Sequence, residues 1–298
     1  MTQTSNLRGI GFMLAGAGTF VLNDSFMKLA LADLPPYEVL SLRGVFGTLW
    51  AFIMLAAMGD LKKLPLAFNR WVMLRGVLEV GAILAYILAL AHSSVGDVTA
   101  IFQTTPLLVI LGMILIHHER TSIKQMLFVV FGFIGALLVA QPGSAATSPF
   151  LLFAFLTALF AALRDLAGRR ITNAVPALAA TLVTIVLVLI GAACVGFVAE
   201  KWHMPSAYHS MLLASSGIAM MLGHMFIFLA YRHASAQAVA PFYYAFLIWA
   251  VVLSFIIFGD IPNQLSVLGM VLILASGLGI VYLDRRSGKI HPQPIAEA

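Results

Sequence analysis

Displaced by 141 positions, this 298-residue chain falls on itself without a gap. Asp24 lands on Asp165, Lys28 on Arg169, Pro35 on Pro176, Gly76 on Gly217, His92 on His233, Ser94 on Ser235 and Glu119 on Asp260. A helix needs about 20 residues to cross a bilayer core of ~30 Å. Apolar windows of that length lie near 8–31, 37–58, 71–92, 96–116 and 122–141, with repeat partners near 148–168, 177–199, 209–231, 236–258 and 264–283. Five crossings per copy is an odd number, so the second copy enters the membrane from the side opposite to the first. The predicted fold is an all-α integral membrane protein of ten transmembrane helices. It forms two inverted five-helix repeats, residues 1–141 and 142–284, followed by a tail over 285–298.

Composition supports a lipid-solvated chain: 61% of residues are hydrophobic and 10% are charged, against about 25% charged in a soluble domain. Arg8, an apolar stretch and Ala30-Leu31-Ala32 imitate a cleavable leader. Asp24 and Lys28 interrupt that stretch, and it has a repeat partner, so it reads as the first span. Basic residues fix the orientation. With both termini on one side, that side collects Arg8, Lys62, Lys63, Arg70, Arg75, Arg120, Lys124, Arg164, Arg169, Arg170, Arg232, Arg285, Arg286 and Lys289. The other side receives Lys28 and Lys201, with Arg43 inside a span. Both termini are therefore expected in the cytoplasm of a bacterial inner-membrane protein. The net charge of +5 reflects this sidedness and gives no reason to expect nucleic acid as a partner.

Several chemistries find no support. The lone Cys194 permits neither a disulfide framework nor a cysteine metal site. His117-His118-Glu119 reads as a solvated loop, since a metal needs more ligands in a defined geometry. No phosphate-binding loop of the G-x-x-x-x-G-K-[ST] type is present, which argues against direct ATP coupling. There is no His-Glu-x-x-His and no Gly-x-Ser-x-Gly, so no enzyme activity is expected, and no cofactor.

An ionisable group inside a span is costly and must face protein or water. Asp24 and Arg43 lie at similar depth on the first two helices, which predicts an ion pair; Lys28, one turn beyond Asp24, is placed to share the carboxylate. Such a group either holds two helices in register or forms a gate contact that breaks during a transport cycle. Glu79 and His224 come from opposite repeats yet share a depth, suited to holding the ends of a zwitterion, exchanging a proton, or stabilising the bundle. Tyr86 follows Glu79 at i+7, and Phe228 follows His224 at i+4. Phe102 and Gln103 correspond by the 141-residue displacement to Tyr243 and Tyr244. A mostly apolar pocket with a few oriented polar groups suits a small zwitterion with a hydrophobic side chain. Pro106 and Pro241 each remove a backbone hydrogen bond within a span and read as hinges or static kinks. The small-residue pairs Gly11/Ala15, Gly132/Ala136 and Ala275/Gly279 would let helices pack closely.

The ordered motifs Asn23-Asp24 with Lys28, Leu34-Pro35-Pro36, Leu42-Arg43-Gly44, Ala89-Leu90-Ala91-His92-Ser93-Ser94, Pro106-Leu107 and Gly132-Phe133-Ile134-Gly135 resemble the drug/metabolite transporter superfamily, EamA type. The second half echoes them in Ala230-Tyr231-Arg232-His233-Ala234-Ser235, Asp260 and Leu268-Gly269, though Thr184 stands opposite Arg43 and Leu247 opposite Pro106. The resemblance implies a central cavity lined by the third, fourth, eighth and ninth helices, of which the third carries Glu79 and the eighth His224. Within the superfamily the chain is similar to YddG-like exporters, which implies aromatic and other neutral amino acids as substrates, moved by alternating access. Efflux of organic cations and uptake of another small metabolite are the alternatives in the same class. From other classes come an intramembrane enzyme and a structural membrane subunit. The expected partners are a small-molecule substrate and the lipid bilayer, with the monomer as the functional unit and oligomers left open.

Overall fold

The structure, a computed structural model, describes residues 3–117, 122–141, 148–168, 170–172, 174–234 and 239–287. Eleven α-helices follow in order among them: α1 (Gln3–Ala30), α2 (Pro36–Ala57), α3 (Arg70–His92), α4 (Val95–Phe102), α5 (Thr105–His117), α6 (Ile123–Ala140), α7 (Leu151–Gly168), α8 (Ala177–Ala199), α9 (Ala207–His233), α10 (Ala245–Leu253) and α11 (Gln264–Ser287). Nine stretches of the described residues are long and apolar enough to cross a membrane; Phe242–Phe258 is a shorter apolar helix at the position of the ninth span. His118 and Glu119, and the tail from residue 288 onward, lie outside the described residues.

The fourth span of each repeat is interrupted, where the sequence predicts continuous helices. In the first repeat α4 stops at Phe102 and α5 starts at Thr105, so Pro106 falls in the opening turn of a new helix. A first-turn proline costs little, because its missing N–H has no partner to lose there. In the second repeat a 3-10 segment, Ala240–Tyr244, takes up Pro241 and leads into α10, which ends in a π turn, Ser254–Phe258. Gly259 then closes the helix with φ at 71°, a left-handed conformation that glycine adopts without strain.

The two repeats are interleaved. α1 packs along α9, and the repeat-related α7 packs along α3; α2 against α9 is matched by α8 against α3. The pairs α2–α8 and α6–α11 join each element to its own counterpart. The most extensive helix–helix contacts therefore lie between repeats, and neither half buries its apolar faces alone. The main core accordingly draws Val21, Leu40, Ile87 and Ile101 from the first repeat, and Leu213, Leu247 and Ile273 from the second. Between α6 and α11 the backbones touch: a Cβ on Gly135 would stand 2.7 Å from the Gly269 carbonyl oxygen, and one on Gly269 2.4 Å from that of Gly135. This approach of backbone to backbone falls beside two of the predicted small-residue pairs; at the third, a Cβ on Gly11 would meet nothing within 4 Å, so that position is not a close helix contact.

At the end of the bundle away from the termini, Glu200 caps α2. Its carboxylate accepts from the Tyr37 N–H at 3.0 Å and the Glu38 N–H at 3.1 Å, donors that the start of a helix leaves free. Proline at positions 35 and 36 rules out a cap of the usual local kind, and α2 has no side-chain cap from its own Ncap residue. Glu200→Ala is expected to lower unfolding stability by about 1–2 kcal/mol, measurable by chemical unfolding of the detergent-purified protein.

Candidate functional site

Two polar clusters sit inside the bundle at different depths. The first lies toward the far end of α1. Asn23 donates to Asp24 Oδ1 at 2.8 Å, and Tyr86 on α3 donates its hydroxyl to Asp24 Oδ2 at 2.7 Å. The Asn23 Oδ1 atom accepts from Arg43 Nη1 on α2 at 3.3 Å and from Ser216 Oγ on α9 at 2.8 Å. The predicted Asp24–Arg43 ion pair is therefore replaced by a relay through Asn23. An amide has both a donor and an acceptor, so it can face a carboxylate and a guanidinium at once, and the Tyr86 hydroxyl takes the second carboxylate oxygen.

Lys28 does not share the Asp24 carboxylate either. Its ammonium donates to the carbonyls of Leu90, at 3.3 Å, and Ser93, at the end of α3, and lies 5.6 Å from the Phe258 ring centroid. The last carbonyls of a helix have no partner within it, and the negative end of the helix dipole favours a cation there. One turn beyond Asp24, Lys28 reaches that end and its unpaired acceptors.

The second cluster lies near the termini-bearing end. Arg164 on α7 donates to Glu79 Oε2 on α3 at 2.6 Å and to Asp165 Oδ1 at 2.8 Å. Arg75, one turn before Glu79, donates to Thr184 Oγ1 on α8 at 3.4 Å. Glu79 and His224 share this level but do not bond each other; the imidazole packs edge-on against Phe20, with ring centroids 4.9 Å apart. A guanidinium bridging two carboxylates is the stronger attractor for Glu79, since it offers several donors in a fixed fork. In sequence Arg164 counts among the basic residues of one side; in the structure it stands four residues before the end of its helix and turns inward. The signal that marks it is its neighbour: Asp165 is the repeat counterpart of Asp24.

That relation extends to both clusters. Displacement by 141 carries Asn23, Asp24 and Arg43 to Arg164, Asp165 and Thr184, and carries Arg75 to Ser216. Each residue of the first cluster apart from Tyr86 thus has its counterpart in the second, contributed by the repeat-related helix. Even the contact between sequence neighbours recurs, from Asn23 to Asp24 and from Arg164 to Asp165, each at 2.8 Å. Because the repeats are inverted, equivalent residues stand at mirrored depths on either side of the bundle's middle.

The remaining predicted residues are dispersed around this framework. Phe102 packs edge-on to Tyr86, with centroids 6.2 Å apart. Gln103 is 1% exposed, and neither its amide nitrogen nor its amide oxygen has a hydrogen-bond partner. Buried amides are normally satisfied, so this one, at the break between α4 and α5, is available to a polar group not provided by the protein. Tyr243 and Tyr244 are both buried and contact each other edge-on; Tyr244 lies over Gly277 of α11, so closely that a Cβ there would overlap its ring. Phe228 is 36% exposed and does not join His224 in the interior.

An inverted ten-span bundle with intramembrane charges at two mirrored levels defines a polytopic membrane carrier. The comparisons give the class a name: the chain belongs to the EamA-like transporter family, whose pattern matches it twice, over residues 7–141 and 148–282. It is therefore a transporter of small molecules and not an enzyme. It is similar to the pseudopaline exporter CntI of Pseudomonas aeruginosa (26% identity, 91% of this chain and 95% of the relative). It is also similar to the S-adenosylmethionine uptake transporter of Rickettsia prowazekii (24% identity, 94% and 95%) and to a riboflavin transporter of Rhizobium johnstonii (28%, 80% of each). A crystal structure superposes with a TM-score of 0.65 at 17% identity, covering 96% of this chain and 99% of the other, and supports the fold alone. These relatives place the chain in the family without singling out its YddG-like amino-acid exporters.

Proposed function

We propose that this protein exports neutral amino acids, aromatic ones included, across a bacterial inner membrane by alternating access, with both termini cytoplasmic and the monomer as the working unit. The observation that carries the reading is the pair of mirrored clusters, built from repeat-equivalent residues on either side of the middle of the bundle. Alternating access requires a closure on each side that opens in turn, and repeat-equivalent clusters supply two closures of matching construction. The interrupted fourth spans, with Pro106 and Pro241 in their opening turns, are where each repeat bends.

The chemistry of the second cluster favours a zwitterion. Separating Glu79 from Arg164 takes the hydrogen-bonded cation from Glu79 and leaves Arg164 with Asp165 as its one carboxylate, which is unfavourable in a poorly solvated interior. An amino acid provides an ammonium for Glu79 and a carboxylate for Arg164, so it offsets both losses at once. An organic cation satisfies Glu79 alone and leaves the Arg164 Nη1 donor that Glu79 had used without an acceptor. A ligand shifts a conformational equilibrium only by its difference in affinity for the two states, and the zwitterion has that difference built into both ends. S-adenosylmethionine, named for one relative, carries an amino acid at its methionine end, so a larger molecule bearing the same group is the second reading.

Thermal unfolding of the purified protein tests this. A ligand at 100 times its Kd stabilises by about 2.7 kcal/mol, so phenylalanine or methionine is expected to raise Tm while tetraphenylphosphonium does not. Glu79→Gln should abolish the response. Stabilisation by the cation alone would transfer the assignment to cation efflux. For the other cluster, Asp24→Asn keeps a hydrogen-bonding side chain against Tyr86 and is expected to fold normally while transport falls at least about tenfold, a barrier change of ~1.4 kcal/mol. Normal transport by this variant would make the first cluster a static brace.

A further inference from the structure

A cavity of about 350 Å³ lies between α2, α8, the start of α3 and the 3-10 segment Leu61–Ala67 that joins α2 to α3. Its wall includes Phe52, Leu64, Phe68, Met73, Leu182 and Val186, and it contains no residue of either polar cluster. Phe52 and Phe68 are 48% and 66% exposed, so the cavity's rim faces outward, toward lipid in a membrane, and not the bundle interior.

The same connecting segment carries an unbalanced positive charge. Lys62, Lys63 and Arg70 are exposed, and among the described residues only Lys63 has a carboxylate partner, Asp60 at 2.8 Å. The guanidinium groups of Arg70 and Arg170 lie 5.2 Å and 5.6 Å from the ring of Trp71, which in sequence falls between Phe68 and Met73 of the cavity wall. Tryptophan at a span end marks the headgroup level. Cations at that level with an apolar recess directly beneath form a two-part surface. A soluble anion would use only its upper part and a neutral hydrocarbon only its lower.

We propose that this recess is a binding site for one anionic phospholipid. An acyl chain fills the cavity against α2 and α8, and the phosphate headgroup meets Lys62, Lys63 and Arg70. The net positive charge of the rim selects a phospholipid with a net negative charge over a zwitterionic one, since basic residues near a membrane surface each add attraction for acidic lipid. The chain is held by apolar contact, as in any lipid anchor. The site is independent of the amino-acid reading, because it shares no residue with the polar clusters.

Native mass spectrometry of the full-length protein in detergent, with phosphatidylglycerol and phosphatidylcholine of identical acyl chains, tests both parts. One retained phosphatidylglycerol per protein is expected, with phosphatidylcholine at least tenfold lower. The K62Q/K63Q/R70Q variant should lose affinity by about fivefold per cation removed. Val186→Phe and Ile190→Trp each fill the recess from α8 and should lower phosphatidylglycerol retention about tenfold; having two of them keeps the test valid if one fails to fold. Equal retention of the two lipids would overturn the selectivity, and undiminished retention by a folded recess-filling variant would overturn the site. Amino-acid-dependent thermal stabilisation, read in the same preparations, is expected to persist in all three variants.

Discussion

Replacing Arg164 by Met is expected to destabilise the protein by about 3–5 kcal/mol and to abolish transport. The estimate is the usual loss when one partner of a buried pair is removed and the other is left charged. Here two carboxylates lose their cation together: Glu79 at 2.6 Å and Asp165 at 2.8 Å. Both partners of the Glu79–Arg164 pair keep only about a sixth of their side-chain surface accessible, 17% and 15%, so water offers little compensation. The fold and transport effects separate in the double variant Glu79→Gln/Arg164→Gln. It removes one charge of each sign and leaves amides able to bond each other at the Glu79 side, while Asp165 still lacks its cation, so part of the stability should return. Transport should not return, because the opposed charges that a zwitterion replaces are gone. Chemical unfolding combined with proteoliposome flux reads both; recovery of transport by the double variant would reduce the pair to a structural tie.

Gly269→Val is expected to be comparably severe by a different route. A Cβ at this position meets the Gly135 carbonyl oxygen at 2.4 Å and the Val139 backbone nitrogen at 3.0 Å. Main-chain atoms cannot rotate out of the way as the end of a side chain can, so α6 and α11 must separate along their length. Overpacking of a well-fitted interior commonly costs about 1–3 kcal/mol, and a backbone obstruction at the contact between helices lies at or above the top of that range. Gly11→Val is the control, since a Cβ there meets nothing within 4 Å. Size-exclusion chromatography after purification should show a monodisperse peak for the control and aggregate or loss of protein for Gly269→Val. A well-folded Gly269→Val protein would mean that the close approach of the two helices is not needed.

Much of the architecture was legible because the bilayer imposes a single strong rule. Every backbone polar group must be satisfied within the span, so long apolar runs become helices, and the 141-residue displacement then relates one half to the other. The same displacement identified Asp24 and Asp165 as equivalent. What remained hidden depends on which helices meet. The prolines at 106 and 241 mark a bend in each fourth span, but a full break is hidden in the first because 95–112 stays apolar enough on average to cross a membrane despite the polar Gln103 and Thr104. Lys28 was expected at Asp24 because spacing within one helix is visible in sequence, whereas the carbonyl end of α3 is not. Arg164 looked interfacial for the same reason: only the packing of α7 along α3 brings it to Glu79. Glu79 and His224 share a depth in sequence, but equal depth does not fix the direction in which a side chain points.

Counterflow in proteoliposomes containing only this protein tests alternating-access transport of amino acids most directly. Vesicles preloaded with unlabelled phenylalanine should accumulate labelled phenylalanine transiently and saturably, and methionine or threonine inside should also drive it. Empty liposomes and a labelled organic cation should show no such overshoot. Overshoot with the cation and none with any amino acid, from protein shown to be folded, would contradict the zwitterion chemistry assigned to Glu79 and Arg164.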